Sequence, residues 1–413
     1  MIDLNFPERV TGGHLGYIQH LYQHMSLPDV DPTTVYQFHH PPFHHFVSVL
    51  FLKAVSLFTT DYDVIEESMQ CVPLICSLIT LWAASEIIKK FRIEGRAYNL
   101  AMAILCVHPS LVMLSGSVNN DCMALLFSVL CILTTMRWLE HRTFGNITLI
   151  ALCLGLGIST KQNVAEMAFP MGTVFLIVLV KELASRKNNS ELILQYVVAA
   201  AVSIPLGMWF YIRNLIKYGM SIMWVYELPA DSWQYTGNVP VINRFLWPIP
   251  AEMIDNIRSF KIGCGYNVWM QIMRTSVLGE WDMAGVDKIV KLIAILLMIA
   301  GAVLAFIAFL CFVKTFLFNI DLGNQHKIKP LYRIMFVIGY IIVMVAYLMF
   351  AYKYPHQCSM HFRYIEITLL FTVVPMGICY SRLKSKRMKN IWDFAVTIFA
   401  VLSVLMCSVW CFV

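Results

Sequence analysis

The sequence predicts an all-α, polytopic integral membrane protein, and three observations carry the prediction. Hydrophobic residues make up 59% of the chain and charged residues only 14%, about half the charged share of a soluble domain. The mean hydropathy is +0.67, too apolar for a surface that faces water on all sides. The apolar residues also fall into long blocks, and a helical span needs about 20 of them in succession.

About ten transmembrane helices are expected, over 70–88, 97–114, 120–136, 147–160, 164–180, 192–211, 289–313, 331–351, 365–380 and 391–412. The fourth block is short. Another apolar run, 43–58, carries His44, His45 and Lys53 and suits a helix lying in the interface. No earlier apolar run precedes it, so no signal peptide is expected.

Lysine and arginine in short loops mark the inner side of a membrane protein. Placing 89–96 inside puts 137–146, 181–191, 314–333 and 381–390 inside by alternation. These five loops hold four, two, three, four and five basic residues, and both chain ends then lie outside. The expected organisation is an outer-face segment over 1–69 with the interfacial helix, a six-span module over 70–211, a long aromatic-rich outer loop over 212–288, and a four-span module over 289–413.

The polar clusters that interrupt the apolar blocks gather on that outer face. They are Asp3, the run from His39 and His40 through Pro41 and Pro42 to His44 and His45, Asn119-Asn120-Asp121, Lys161-Gln162-Asn163, Arg213-Asn214, and 358–364 with Arg363 and Tyr364. Ionisable groups at span ends are expensive to bury and are functional candidates by default. Each also has a plainer reading. Asp121 could only cap its helix, Lys161 and Arg213 could snorkel, and the histidines could form a solvated interfacial face. Their shared sidedness favours a site.

Most of the 12 cysteines lie inside apolar blocks, without zinc-type spacing. There is no Walker-type phosphate loop and no dinucleotide fingerprint, which disfavours a soluble nucleotide-sugar donor. No nucleic-acid partner is expected.

Four stretches together resemble the GT-C superfamily of polytopic glycosyltransferases, specifically the protein mannosyltransferase-like, family 39 type. The first runs from His14-Leu15-Gly16-Tyr17-Ile18 to His39-His40-Pro41-Pro42-Phe43-His44-His45, similar to the family's His-Pro-Pro-Leu outer loop. The second is Asn119-Asn120-Asp121, and the third is Gly155-Leu156-Gly157-Ile158-Ser159-Thr160-Lys161-Gln162. The fourth is Trp209-Phe210-Tyr211-Ile212-Arg213-Asn214 with Tyr218-Gly219. Phe362-Arg363-Tyr364-Ile365 adds weaker support.

The resemblance implies a GT-C-like fold and transfer of a sugar from a polyprenyl-phosphate donor to a glycan, lipid or protein acceptor on the outer face. It implies Asp3 as general base, with Asp121 as a second catalytic candidate that orients the acceptor or a basic partner. Substrate contacts would come from His40, Lys161, Arg213, Asn214, Arg363 and Tyr364. The family's first span precedes its aspartate, so a chain lacking that span is expected here. A divalent metal ion shared by Asp3 and Asp121 is left open. The other readings are a transporter or flippase of a lipid-linked or small substrate, and an inactive transferase remnant. No internal repeat of the kind transporters show is evident in the sequence, and the polar clusters sit at one face rather than at span centres.

Overall fold

The computed structural model describes residues 13–185, 189–246, 265–279, 286–318 and 328–412. Among these the chain is helical. No β-strand forms, and one isolated bridge pairs Tyr235 with His356. Two compact units are built from interleaved segments. One comprises 1–83 with 114–226, and the other 84–113 with 227–413.

In the first unit, α1 (Gly13–His24) and α2 (Phe43–Val55) precede α3 (Tyr62–Glu67) and the start of α4 (Cys71–Lys90). Then come α7 (Asp121–Glu140), α8 (Phe144–Ile158), α9 (Ala168–Ala184) and α10 (Ser190–Tyr218). With 13 residues, α2 is about 20 Å long, too short to cross the bilayer. It presents Phe46 and Leu50 outward and buries His44 and His45 completely. The plainer reading of His44 and His45 as part of a solvated face does not hold: the lipid-compatible side chains face out and these two imidazoles face in.

Helix α8 lies close to α10 because glycine lines the approach. A Cβ at Gly155 would sit 2.9 Å from Leu206 Cβ, and one at Gly207 would sit 3.1 Å from Ile158 Cβ. Such small residues let backbones meet where lipid supplies no hydrophobic drive. Helix α10 ends at Gly219, whose φ of +68° suits a residue without Cβ. The amides of Gly219 and Met220 close the end on Leu215 and Asn214 carbonyls. At the other end of this unit, the Trp138 indole donates to Gln195 at 2.7 Å and Arg142 pairs with Glu182 at 2.7 Å.

In the second unit, the end of α4 leads through Arg92 to α5 (Gly95–Cys106) and α6 (Pro109–Ser115), the latter reaching the unit boundary. Helices α5 and α6 bend by 54°. Pro109 supplies no amide and disfavours helical backbone at His108 before it. Further along are α11 (Val241–Phe245), α12 (Val268–Leu278), α13 (Lys288–Phe312), α14 (Pro330–Lys353), α15 (Thr368–Arg382) and α16 (Lys386–Phe412).

Seven helices among the described residues are long and apolar enough to span a membrane, or eight if the bent α5–α6 pair counts as one. The ten expected spans thus reduce in a specific way. The fourth and ninth are helices of only 15 residues, about 22 Å each, and Pro109 breaks the second.

Candidate functional site

The first unit brings four of the sequence's polar clusters to one end. Asn120 stands at the start of α7, and its side-chain amide donates to the Thr160 carbonyl at 3.1 Å. The Asp121 amide is taken by the Asn119 side chain at 2.9 Å. The Asp121 carboxylate accepts the Lys161 ammonium. Lys161 follows α8 in extended conformation, with its amide bonded to the Gly157 carbonyl. Both residues are buried, Asp121 at 6% exposed and Lys161 at 9%. A snorkelling lysine would reach water, so that reading of Lys161 fails. The first turn of α7 also favours a carboxylate through the helix dipole.

Imidazoles surround this pair. The Phe43 amide donates to the Ser159 carbonyl at 3.1 Å, fixing the start of α2 beside Lys161. The Lys161 charge acts on His39 and His40, and the Asp121 charge on His44. Burial holds His39 and His44 near a pKa of about 4. His40 and His45 lie well below the usual range, again chiefly through burial. All four are neutral at pH 7. Both ring nitrogens of His44 are buried without a hydrogen-bond partner.

The rings form a continuous series. Phe38 stacks on Tyr17 at 4.7 Å between centroids, Tyr17 on His45 at 4.5 Å, His45 on His14 at 5.2 Å, and His14 on His40 at 5.4 Å. His40 then meets His39 at 4.2 Å, and His39 meets Trp224 edge-on at 5.1 Å. His14 and His45 also share a hydrogen bond of 2.9 Å. The series ties α1, the loop before α2, α2 itself and the segment after α10 to one another.

Arg213 lies on the last turns of α10. Its guanidinium donates to Asn214 Oδ1 at 2.8 Å and to the Pro28 carbonyl at 3.4 Å. These are neutral oxygens, and the Arg213 charge also acts on the nearby Asp29 carboxylate. Asn214 is fully buried, and its Nδ2 has no hydrogen-bond partner. Nearby, Lys217 and Tyr218 donate to Asp29. The Lys217 hydrogen bond is the main reason the Asp29 carboxyl lies below its ordinary pKa. That clamp holds the loop before α2 against the end of α10.

Arg363 and Tyr364 belong to the second unit. Arg363 lies over the Tyr364 ring at 5.3 Å, and the Phe362 amide donates to Thr275 at 2.8 Å. Asp3 lies outside the described residues. The divalent-ion option required Asp3 together with Asp121. Asp121 is bonded to Lys161, and among the described residues no group of three or more His, Cys, Asp or Glu could hold a metal ion.

Two features escaped the sequence reading. One is the burial of His44 beside Asp121. The other is a polar cluster in the second unit, where Ser110 donates to the buried Glu366 and His108 stacks on Phe362 at 5.4 Å. A lone acid opening an apolar block, as Glu366 does, was the available signal.

The model of the dolichyl-phosphate-mannose-protein mannosyltransferase family matches residues 39–209. No curated protein matches the chain. Among solved structures, ArnT from Cupriavidus metallidurans in the apo state aligns at 15% identity over 87% of this chain and 70% of that one, with a TM-score of 0.38. ArnT from the same organism bound to undecaprenyl phosphate aligns at 15% identity over 89% and 72%, also with a TM-score of 0.38. A score at that level carries no inference of its own. The expected GT-C likeness rests on the family match over residues 39–209, the stretch that contains His39, His40, His44, Asp121 and Lys161.

Proposed function

We propose that this chain is a membrane glycosyltransferase that passes a sugar from a polyprenyl-phosphate donor to an acceptor hydroxyl on the outer face. The observation that carries the reading is the buried Asp121–Lys161 pair, enclosed by neutral imidazoles at the same end of one unit as the Arg213 guanidinium, which hydrogen-bonds the neutral oxygens of Asn214 and Pro28. An ionic cluster in a span-rich chain is costly without a polar ligand to serve.

In the reaction, the acceptor oxygen bonds to the anomeric carbon as the bond from that carbon to the donor phosphate breaks. The electron pair leaves with the polyprenyl phosphate, and the acceptor proton goes to a carboxylate base. By resemblance that base is Asp3. The departing phosphate gains negative charge, which a fixed cation stabilises best in a water-poor site. Arg213 suits this role better than Lys161. Lys161 is already neutralised by Asp121 and acts as a positioning residue for the loop that bears His39 and His40. Asp121, bound to Lys161, is not free to serve as base.

Binding of radiolabelled polyprenyl phosphate to the purified full chain tests the assignment. Arg213→Gln lowers affinity by about tenfold, the loss expected for one charge-assisted contact, with the unfolding profile unchanged. Equal affinity in Arg213→Gln and the parent chain would overturn the role of Arg213.

A further inference from the structure

A second charged surface lies in the other unit, at the end opposite the turn that holds Arg363 and Tyr364. Three chain segments meet there. Phe91 packs on Phe316, Tyr332 and Phe336, and Ile93 lies against Gly377. Arg96 pairs with Asp393 at 2.8 Å. The Asp393 carboxylate also accepts the Tyr380 hydroxyl at 2.8 Å, and Lys389 lies over the Tyr380 ring. These contacts gather the four basic residues of 89–96 and the five of 382–389, with Lys314, Lys329 and Arg333 on the adjoining helix ends. Against them, among the described residues, stand Glu86, Glu94 and Asp393, and two of these are already paired, with Lys89 and Arg96.

The excess charge continues onto one face of α16, where Lys386, Arg387, Asn390, Ile391 and Phe394 lie side by side on an open surface. Among the described residues, no carboxylate pairs with Lys386 or Arg387. One turn further along α16, Ile391 and Phe394 are 49% and 67% exposed, at the point where the helix becomes an apolar span. Donors above and exposed apolar side chains below match one class of molecule: a phosphodiester headgroup with acyl chains attached. A soluble anion would use the cations and leave Phe394 and Ile391 uncovered. A neutral lipid would use the apolar part and leave the cations unpaired.

We propose that this face of α16 is a binding site for an anionic diacyl phospholipid of the inner leaflet, with Lys386, Arg387 and Asn390 on the headgroup phosphate and Ile391 and Phe394 along the first acyl methylenes. The attraction is electrostatic at the headgroup and is weakened by salt. It does not depend on the transferase reading, and its test reads lipid binding rather than sugar transfer.

Native mass spectrometry of the full chain, released from detergent after addition of phosphatidylglycerol, phosphatidylcholine or inorganic phosphate, measures the site. Phosphatidylglycerol is retained in preference to phosphatidylcholine. The double variant Lys386→Ala/Arg387→Ala retains about tenfold less, while Lys181→Ala, in a basic loop of the other unit, retains as much as the parent. Phosphatidylglycerol with a photoreactive acyl chain, applied to the unsubstituted protein, crosslinks within 386–394, so the test survives if the double variant fails to fold. Equal retention of the two phospholipids, undiminished retention by the double variant, crosslinks confined to other segments, or displacement of the lipid by inorganic phosphate would each overturn the proposal.

Discussion

Asp121 and Lys161 are 40 positions apart in sequence and joined inside the fold. Removing one member of such a pair leaves the other charge buried and uncompensated, which costs about 3–5 kcal/mol. Asp121→Asn is therefore expected to destabilise the chain by that order. Asp121→Asn/Lys161→Met should cost clearly less than the two single changes together, as a double-mutant cycle on the unfolding free energy would read. Additive single costs would show that the two side chains do not depend on each other. The histidines predict a pH dependence with a definite sign. Burial lowers His39 and His44 to about 4 in the folded chain, against about 6.5 when unfolded. The unfolded state then binds more protons between these values, so stability is complete above about pH 6.5 and is lost as pH falls toward 4. The unfolding midpoint should drop across that window and drop less in His39→Gln/His44→Gln; an equal drop in both would place the acid sensitivity elsewhere. The sequence pointed to most of these residues because ionisable groups are conspicuous among apolar ones. It could not show which charges meet. Nor could it show that His44 and His45 turn inward, since neighbouring positions on a helix do not share a face and only the packing of α1 and α7 on α2 decides which face is covered.

At the scale of elements, the tight approach of α8 rests on Gly157. A Cβ there would lie 2.5 Å from Val164 Cγ1 and 2.9 Å from Phe127 Cβ. Gly157→Ala should cost about 1–3 kcal/mol, the usual penalty for overpacking. It should also disturb Lys161, whose amide hydrogen-bonds the Gly157 carbonyl at 2.9 Å. Gly145→Ala, where the nearest atom is 4.0 Å away, should be neutral by the same thermal unfolding measurement; equal penalties at the two glycines would remove packing as the cause. The helical class was legible because apolar blocks of span length have few other uses. The span count was less legible. Hydropathy registers the apolar residues of α8 and α15 but not that each helix stops after 15 residues. It also does not register the 54° bend at Pro109.

For the molecule as a whole, charge and site follow the same alternation in each unit. In the first, Asp121, Lys161 and Arg213 stand at the helix ends away from Arg142 and Glu182. In the second, the turn bearing Arg363 is separated by the lengths of α14 and α15 from the basic loops. Within each unit, a loop-by-loop count of lysine and arginine already separates these helix ends, because it depends on chain order and not on packing. The donor, by contrast, leaves no periodic signature, and the transferase reading depends on the residues that share the site end and on the family match over residues 39–209. The most direct test is transfer of radiolabelled sugar in proteoliposomes containing the full chain, with a polyprenyl-phosphate sugar or a nucleotide sugar as donor, beside Arg213→Gln and Asp3→Asn. The account predicts transfer from the polyprenyl-phosphate donor alone, reduced on the order of a hundredfold or more by either substitution. Transfer from the nucleotide sugar, or unaltered transfer in both variants, would contradict it.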